Sequence, residues 1–138
     1  MASYVKYEPF AEGLADKLFD LFGTTDTLKV VIASDAPVVA TDDELADVTQ
    51  VTGTGYTAGG IDIQNDSTRT GGTVTMTAVD AVWTGGAGGF IPGRYIVMHD
   101  DTSTTDRLIA YWDYGSNFTV AVGETFTVDF GASVLTLA

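Results

Sequence analysis

Hydrophobic and polar positions follow two rhythms along this chain, and the slower one comes first. Phe10, Leu14, Leu18, Leu21 and Phe22 fall at i, i+4, i+8, i+11 and i+12, the spacing that lays one apolar stripe along a helix. Pro9 suits a first helical position and Gly23 the left-handed residue after a last turn, so the pattern predicts an amphipathic helix over 9–22. Gly13 costs such a helix about 1 kcal/mol against Ala, so packing on the stripe must help hold it. Thr41 and Glu44 have capping-box spacing ahead of Leu45, which predicts a shorter helix over 42–47.

From residue 27 onward the rhythm is that of strands. TVTMTAV (73–79) and TFTVDF (125–130) alternate polar with apolar residues, which predicts one buried and one wet face. In TVTMTAV the inward set is Val74, Met76 and Ala78; in TFTVDF it is Phe126, Val128 and Phe130. LKVVIA (28–33) is a short β-branched run, whereas RYIVM (94–98) and LIAYW (108–112) are apolar at both parities and must be covered on both faces. The polar connection HDDTSTTDR between those two predicts a hairpin. With GIDIQ (60–64), FTVAV (118–122) and VLTLA (134–138) the count reaches about eight short strands separated by turn residues. The expected fold is mainly β: a single-domain sandwich or jelly-roll-like arrangement of antiparallel strands with one N-terminal helix. Residues 1–8 are expected as an arm or edge strand, 9–22 as the helix and 27–138 as the sandwich. The glycine-rich stretch 85–93 is expected to be a mobile loop.

GTGYTAGG (53–60) satisfies the glycine spacing of a dinucleotide-binding loop. Such a loop works when a strand delivers it and a helix leaves it, aiming the helix N-terminus at a pyrophosphate. Here the strand pattern GIDIQ follows instead, so the stretch reads as a turn and no cofactor is expected. Tyr56 is left as one large ring among small residues, either a plug over the sandwich end or a contact to a neighbouring subunit.

Other candidate chemistry is sparse. His99-Asp100-Asp101 is where the sole histidine meets carboxylates; one histidine cannot build a multi-histidine zinc site, and the expected reading is a solvated hairpin end. Asp100, Thr102, Thr104 and Asp106 place oxygens at every second residue, which makes Asp100, Asp101 and Asp106 a weak calcium candidate without the glycine and glutamate of an EF-hand. Asp113 with Glu124 is a conceivable glycosidase pair. Asn65-Asp66-Ser67 and Asn117-Phe118-Thr119 match the glycosylation pattern but read as turns. No nucleophile, base and orienting group occur at recognisable spacing, so an enzyme is the least favoured reading, and no small-molecule substrate is expected.

Composition narrows the partners. Nineteen acidic residues against six scattered basic ones give a net charge of -13, which argues against a nucleic-acid surface. Cysteine is absent, so neither disulfides nor thiolate metal sites are available. No stretch has the length of a membrane span, and the first residues lack the signature of a signal peptide. The aromatic run Tyr111-Trp112-Asp113-Tyr114 reads either as core or as an association surface, and Tyr4, Tyr7, Tyr56, Trp112 and Tyr114 are the interface candidates.

The strings DTLKV, APV, GYTAGG, RY, LIAYWDYGS, GETFTVDF and VLTLA, in this order after an N-terminal helix, resemble a family of small virion structural proteins of tailed bacteriophages, the most specific part being YWDYGS with GETFTVDF. The resemblance runs nearly end to end; it departs at Phe90-Ile91-Pro92-Gly93, where the family would have a Gly-Pro-Phe order. It implies a non-enzymatic virion component assembled in the bacterial cytoplasm. The implied role is a head decoration (cement) protein, a homotrimer whose partners are the major capsid protein and copies of itself. The alternatives are a tail, neck or baseplate protein, or a glycan-binding adhesion module using exposed aromatics such as Trp112. The segment Ala2 to Tyr7 is expected either as an arm reaching the shell or as an edge strand or frayed end.

Overall fold

The chain enters the fold as a two-residue strand β1 (Val5–Lys6) followed at once by helix α1 (Glu8–Ala15), in a computed structural model that describes residues 3–138. The helix begins as expected, with Pro9 in its first turn, but ends well before residue 22. Its terminator is Lys17, which takes a left-handed conformation (φ 61). The Leu18 N–H then bonds the Gly13 carbonyl at 2.9 Å and the Lys17 N–H the Leu14 carbonyl at 3.3 Å, the paired bonds of a Schellman ending. The chain folds back so that the Phe19 ring covers Gly13, where any Cβ would collide with it, and meets Phe10 edge-on at 5.0 Å. The expected stripe is therefore split: Phe10 and Leu21 are buried, while Leu18 and Phe22 are exposed.

The expected second helix shrinks to one 3-10 turn, Leu45–Asp47. Asp47, not Thr41, organises it: its carboxylate accepts from the Asp43 and Glu44 N–H groups at 3.0 and 3.1 Å. The strands that follow are β2 (Leu28–Ala33), β3 (Ile61–Asp62), β4 (Asp66–Thr70), β5 (Thr73–Thr77), β6 (Ala81–Thr84), β7 (Phe90–Asp100), β8 (Arg107–Val120), β9 (Thr125–Val128) and β10 (Leu135–Leu137). They form antiparallel sheets in the orders β1-β8-β7-β2-β3, β10-β5-β4 and β6-β9, a β-sandwich-like domain. Strands β4 and β6 escape the periodic reading, because DSTRT is polar throughout and AVWT is too short to show a period.

The two-faced strands are the centre of the large sheet. Residues 96–98 and 108–110 are buried without a break, as apolar residues at both parities require. Consecutive residues Tyr111 and Trp112 project to opposite faces, and each meets aromatic cover: Tyr111 packs on Tyr7 and Tyr95 at 5.5 and 6.1 Å, Trp112 on Phe130 at 5.7 Å. Both sheet edges are occupied. Beside β1, the outer edge of β8 receives the Tyr7 N–H at Ile109 and gives the Leu108 N–H to Asp43. The outer edge of β2 is taken by β3, then by Val51 and Thr49.

Val5 lies opposite Tyr111 and Lys6 opposite Ala110, the edge strand that was one of the two expectations for this segment; Ala2 lies outside the described residues. The expected mobile loop over 85–93 needs correction. The glycine-rich stretch is pinned: Gly85 N–H bonds Glu124, Gly86 N–H bonds Thr54, Thr54 N–H bonds Gly89, and 90–93 belong to β7. Glycine is required at Gly85 and Gly89 because a Cβ there would strike the carbonyl of Ala121 or Val120 at the end of β8, and at Gly86 because it would strike Thr54.

Candidate functional site

Among the described residues, three places carry chemistry beyond packing. The first is GTGYTAGG. Gly55 (φ 98) and Gly60 (φ 82) hold left-handed conformations, and a side chain on either would strike the carbonyl of Thr84 or Val30. The loop lies down on the sheet end, and the Tyr56 ring packs on Trp83 and Phe90 at 6.5 and 5.9 Å. Its hydroxyl donates to Gln50 Oε1 at 2.8 Å and accepts from the Ile32 N–H at 3.2 Å. Burial pushes that hydroxyl up to about 12. The ring is half-buried over the sheet end, as a plug would be, and its polar atom is bonded inside the chain.

The second place is the closed end of the β7–β8 hairpin. His99 and Asp100 are buried, at 0% and 1% exposure, so the expected solvated end begins only at Asp101. The cause is register: Leu28 and Lys29 of β2 pair with Asp100 and His99, which carries the sheet past the apolar run. The two side chains diverge. Asp100 turns toward Asp26 and a pocket of about 210 Å³ lined also by Lys17, Asp20, Thr102 and Ser103. Oδ1 of Asp100 accepts the Thr102 N–H at 2.9 Å, and Oδ2 is buried without a partner. Burial first, and then the charge of Asp26, raise the Asp100 carboxyl to about 6. Asp26 is buried too, its Oδ2 accepting from the Asp20 N–H at 2.5 Å.

His99 turns the other way. Its Nε2 lies 3.0 Å from the Gly59 carbonyl and, among the described residues, its Nδ1 has no partner. One ligand atom each from His99, Asp101 and Asp106 lie within 4.8 Å of one another. Burial lowers the imidazole pKa, which favours the neutral ring. Asp101 meanwhile pairs with Lys29 Nζ at 2.9 Å. The calcium candidate of Asp100, Asp101 and Asp106 is thus rearranged: Asp100 leaves the group and His99 replaces it.

The third place is the far half of the hairpin. Between the pairs Tyr95–Asp113 and Gly93–Phe118, β7 supplies Arg94 alone while β8 supplies residues 114–117. That bulge pushes Tyr114 out to 57% exposure. Its ring stands edge-on to Phe118 and Phe126 at 5.0 and 5.6 Å, and those two stack at 4.1 Å. A groove of about 310 Å³ runs beside the cluster, between Trp112, Phe126 and Asp129. Asp113 clamps the bulge: Arg94 donates to both its oxygens at 2.9 and 3.0 Å, and the Gly115 N–H bonds Oδ1 at 2.8 Å. The Arg94 bonds hold the Asp113 carboxyl below its ordinary range. Glu124 is committed to its own turn, accepting from the Ala121 N–H at 3.1 Å. The conceivable glycosidase pair is accordingly a clamp and a turn.

Among the five interface candidates, Tyr4 and Tyr114 are exposed at 37% and 57%, whereas Tyr7 and Trp112 are buried at 0% and 4% and Tyr56 is half-buried. Asn65 is no turn residue either: it is buried, accepting from the Leu28 N–H and donating to the Asp26 carbonyl, both at 2.9 Å. No signal in the sequence separated Asn65 from the exposed Asn117. Neither a protein-family model nor any curated protein matches the chain, and no solved structure matches its fold.

Proposed function

We propose that the chain is a non-enzymatic structural protein of a tailed-bacteriophage virion, bound to the outer surface of the head as a decoration protein and associating with copies of itself as a trimer. The virion reading rests on the quoted strings. The observation that carries the docking mode is the Tyr114 bulge: an aromatic cluster, clamped by a bidentate Arg94–Asp113 pair, offered to solvent. Tyrosine with surrounding phenylalanine is the composition of a binding hot spot, and a clamped loop loses little entropy on docking. The net charge of -13 keeps free copies apart before assembly.

A glycan-adhesion reading has less support, because Trp112 is buried and has no open face for a sugar. The test is the composition of purified particles. Hundreds of copies per particle on the head lattice, seen by cryo-EM and quantified by mass spectrometry, are expected; six or twelve on the tail axis would move the protein to the tail, neck or baseplate. Absence from particles would falsify the virion reading.

A further inference from the structure

We propose that His99, Asp101 and Asp106 form a binding site for a divalent transition metal of the zinc type, at the closed end of the β7–β8 hairpin. A backbone carbonyl only accepts, so the Nε2 of His99 that faces Gly59 carries the proton. In the neutral ring Nδ1 is then a bare lone pair, buried, with no protein partner. A histidine held through one nitrogen by a carbonyl, with the other presented to carboxylates, is the arrangement that fixes a metal-ligating imidazole.

One ring nitrogen of His99 and one oxygen each of Asp101 and Asp106 lie within 4.8 Å of one another; with Nε2 engaged at Gly59, the proposal assigns the ligating role to Nδ1. Ligands of one tetrahedral zinc stand about 3.3–3.6 Å apart, so the site closes by a modest side-chain turn, for which exposed Asp101 has room. The frame behind it is fixed. Asp101 N–H bonds the Thr27 carbonyl at 2.9 Å, the Leu45 N–H bonds the Asp106 carbonyl at 2.9 Å, and Ser103 Oγ ties Asp100 to Arg107. Asp106 holds φ 53, a left-handed conformation that spends strain on placing its side chain here.

The donor set selects the ion. One imidazole with two carboxylates suits zinc and its neighbours, whereas calcium and magnesium favour all-oxygen shells. Three protein ligands leave a position for water. Lys29 is the competitor, since its ammonium holds Asp101 at 2.9 Å and stands opposite His99 in the register; metal entry displaces it toward solvent.

Metal binding is read on the isolated protein, independently of any particle. Untagged, chelator-stripped protein is titrated with zinc chloride, and in parallel with calcium chloride, while the ring nitrogens of His99 are followed by NMR; it is the sole histidine, so its signals need no assignment. Zinc is expected to move the Nδ1 resonance with one-to-one stoichiometry and calcium to leave it in place. Asp106→Asn, which keeps a residue tolerant of positive φ, should weaken zinc binding at least tenfold, and Lys29→Met should tighten it severalfold. The proposal is overturned if zinc leaves Nδ1 unmoved, if Asp106→Asn binds zinc as tightly as the parent, or if calcium binds equally well in the parent and in His99→Gln.

Discussion

The phenolic oxygen of Tyr56 accepts the Ile32 N–H at 3.2 Å, so a side chain bonds the edge of β2 just beyond the point where β3 stops pairing with it at Val30. The same oxygen donates to Gln50 Oε1, which also accepts the Gly59 N–H, and the loop is thereby sealed onto the sheet. Tyr56→Phe keeps the ring on Trp83 and Phe90 but leaves a part-buried N–H without a partner. The expected cost is about 1–3 kcal/mol, read as a lower urea midpoint at unchanged slope. An unchanged midpoint would show that the hydroxyl does no structural work.

The same hydroxyl gives a pH dependence whose sign is fixed. Its folded value, about 12, lies above the ordinary 10.0 because burial disfavours the phenolate. The fold therefore prefers the neutral form: its stabilisation is complete below pH 10.0 and drains as pH rises through about 12. At about 1.4 kcal/mol per unit the loss is about 2–3 kcal/mol. Unfolding free energies of the parent and Tyr56→Phe should converge over that window, the parent falling more steeply. Parallel curves would remove Tyr56 from alkaline unfolding.

Lys17 ends α1 in a conformation that suits glycine. Lys17→Gly should raise stability by about 0.5–1 kcal/mol, with a Tm several degrees higher, and loss of stability would show that the lysine stem matters more than its backbone. The position also shows where the sequence misled. The apolar stripe runs on to Phe22 and Gly23 offers an obvious cap, so periodicity extends the helix past Lys17, which announces no ending. What decides is tertiary: the Phe19 ring can cover Gly13 only if the chain turns back.

The β-branched and two-faced strands were legible because their burial depends on their own composition. The sites were less so. His99 and Asp100 look like the polar rim of a hairpin until β2 is paired across them, and nothing local in HDD indicates that pairing. Asp26, at the far side of the Asp100 carboxyl, is 74 positions away in the chain (100 − 26). Tyr114 was legible as an aromatic but not as an exposed one, since the bulge that lifts it arises from the mismatch between β7 and β8.

Trp112 and Tyr114, two residues apart on β8, should therefore respond in opposite ways. Trp112 fills the core against Phe130 and Tyr4, and Trp112→Ala should cost about 3–5 kcal/mol, enough to threaten folding. Tyr114→Ala removes an exposed ring whose contacts to Phe118 and Phe126 are worth about 1 kcal/mol or less, so the protein should stay folded with a nearly unchanged urea midpoint. Under the docking proposal, that folded variant loses attachment to capsids stripped of this protein, measured by co-sedimentation, while Tyr4→Ala retains it. Full retention by Tyr114→Ala would remove the bulge from the docking surface; a strong destabilisation would instead make the cluster part of the core.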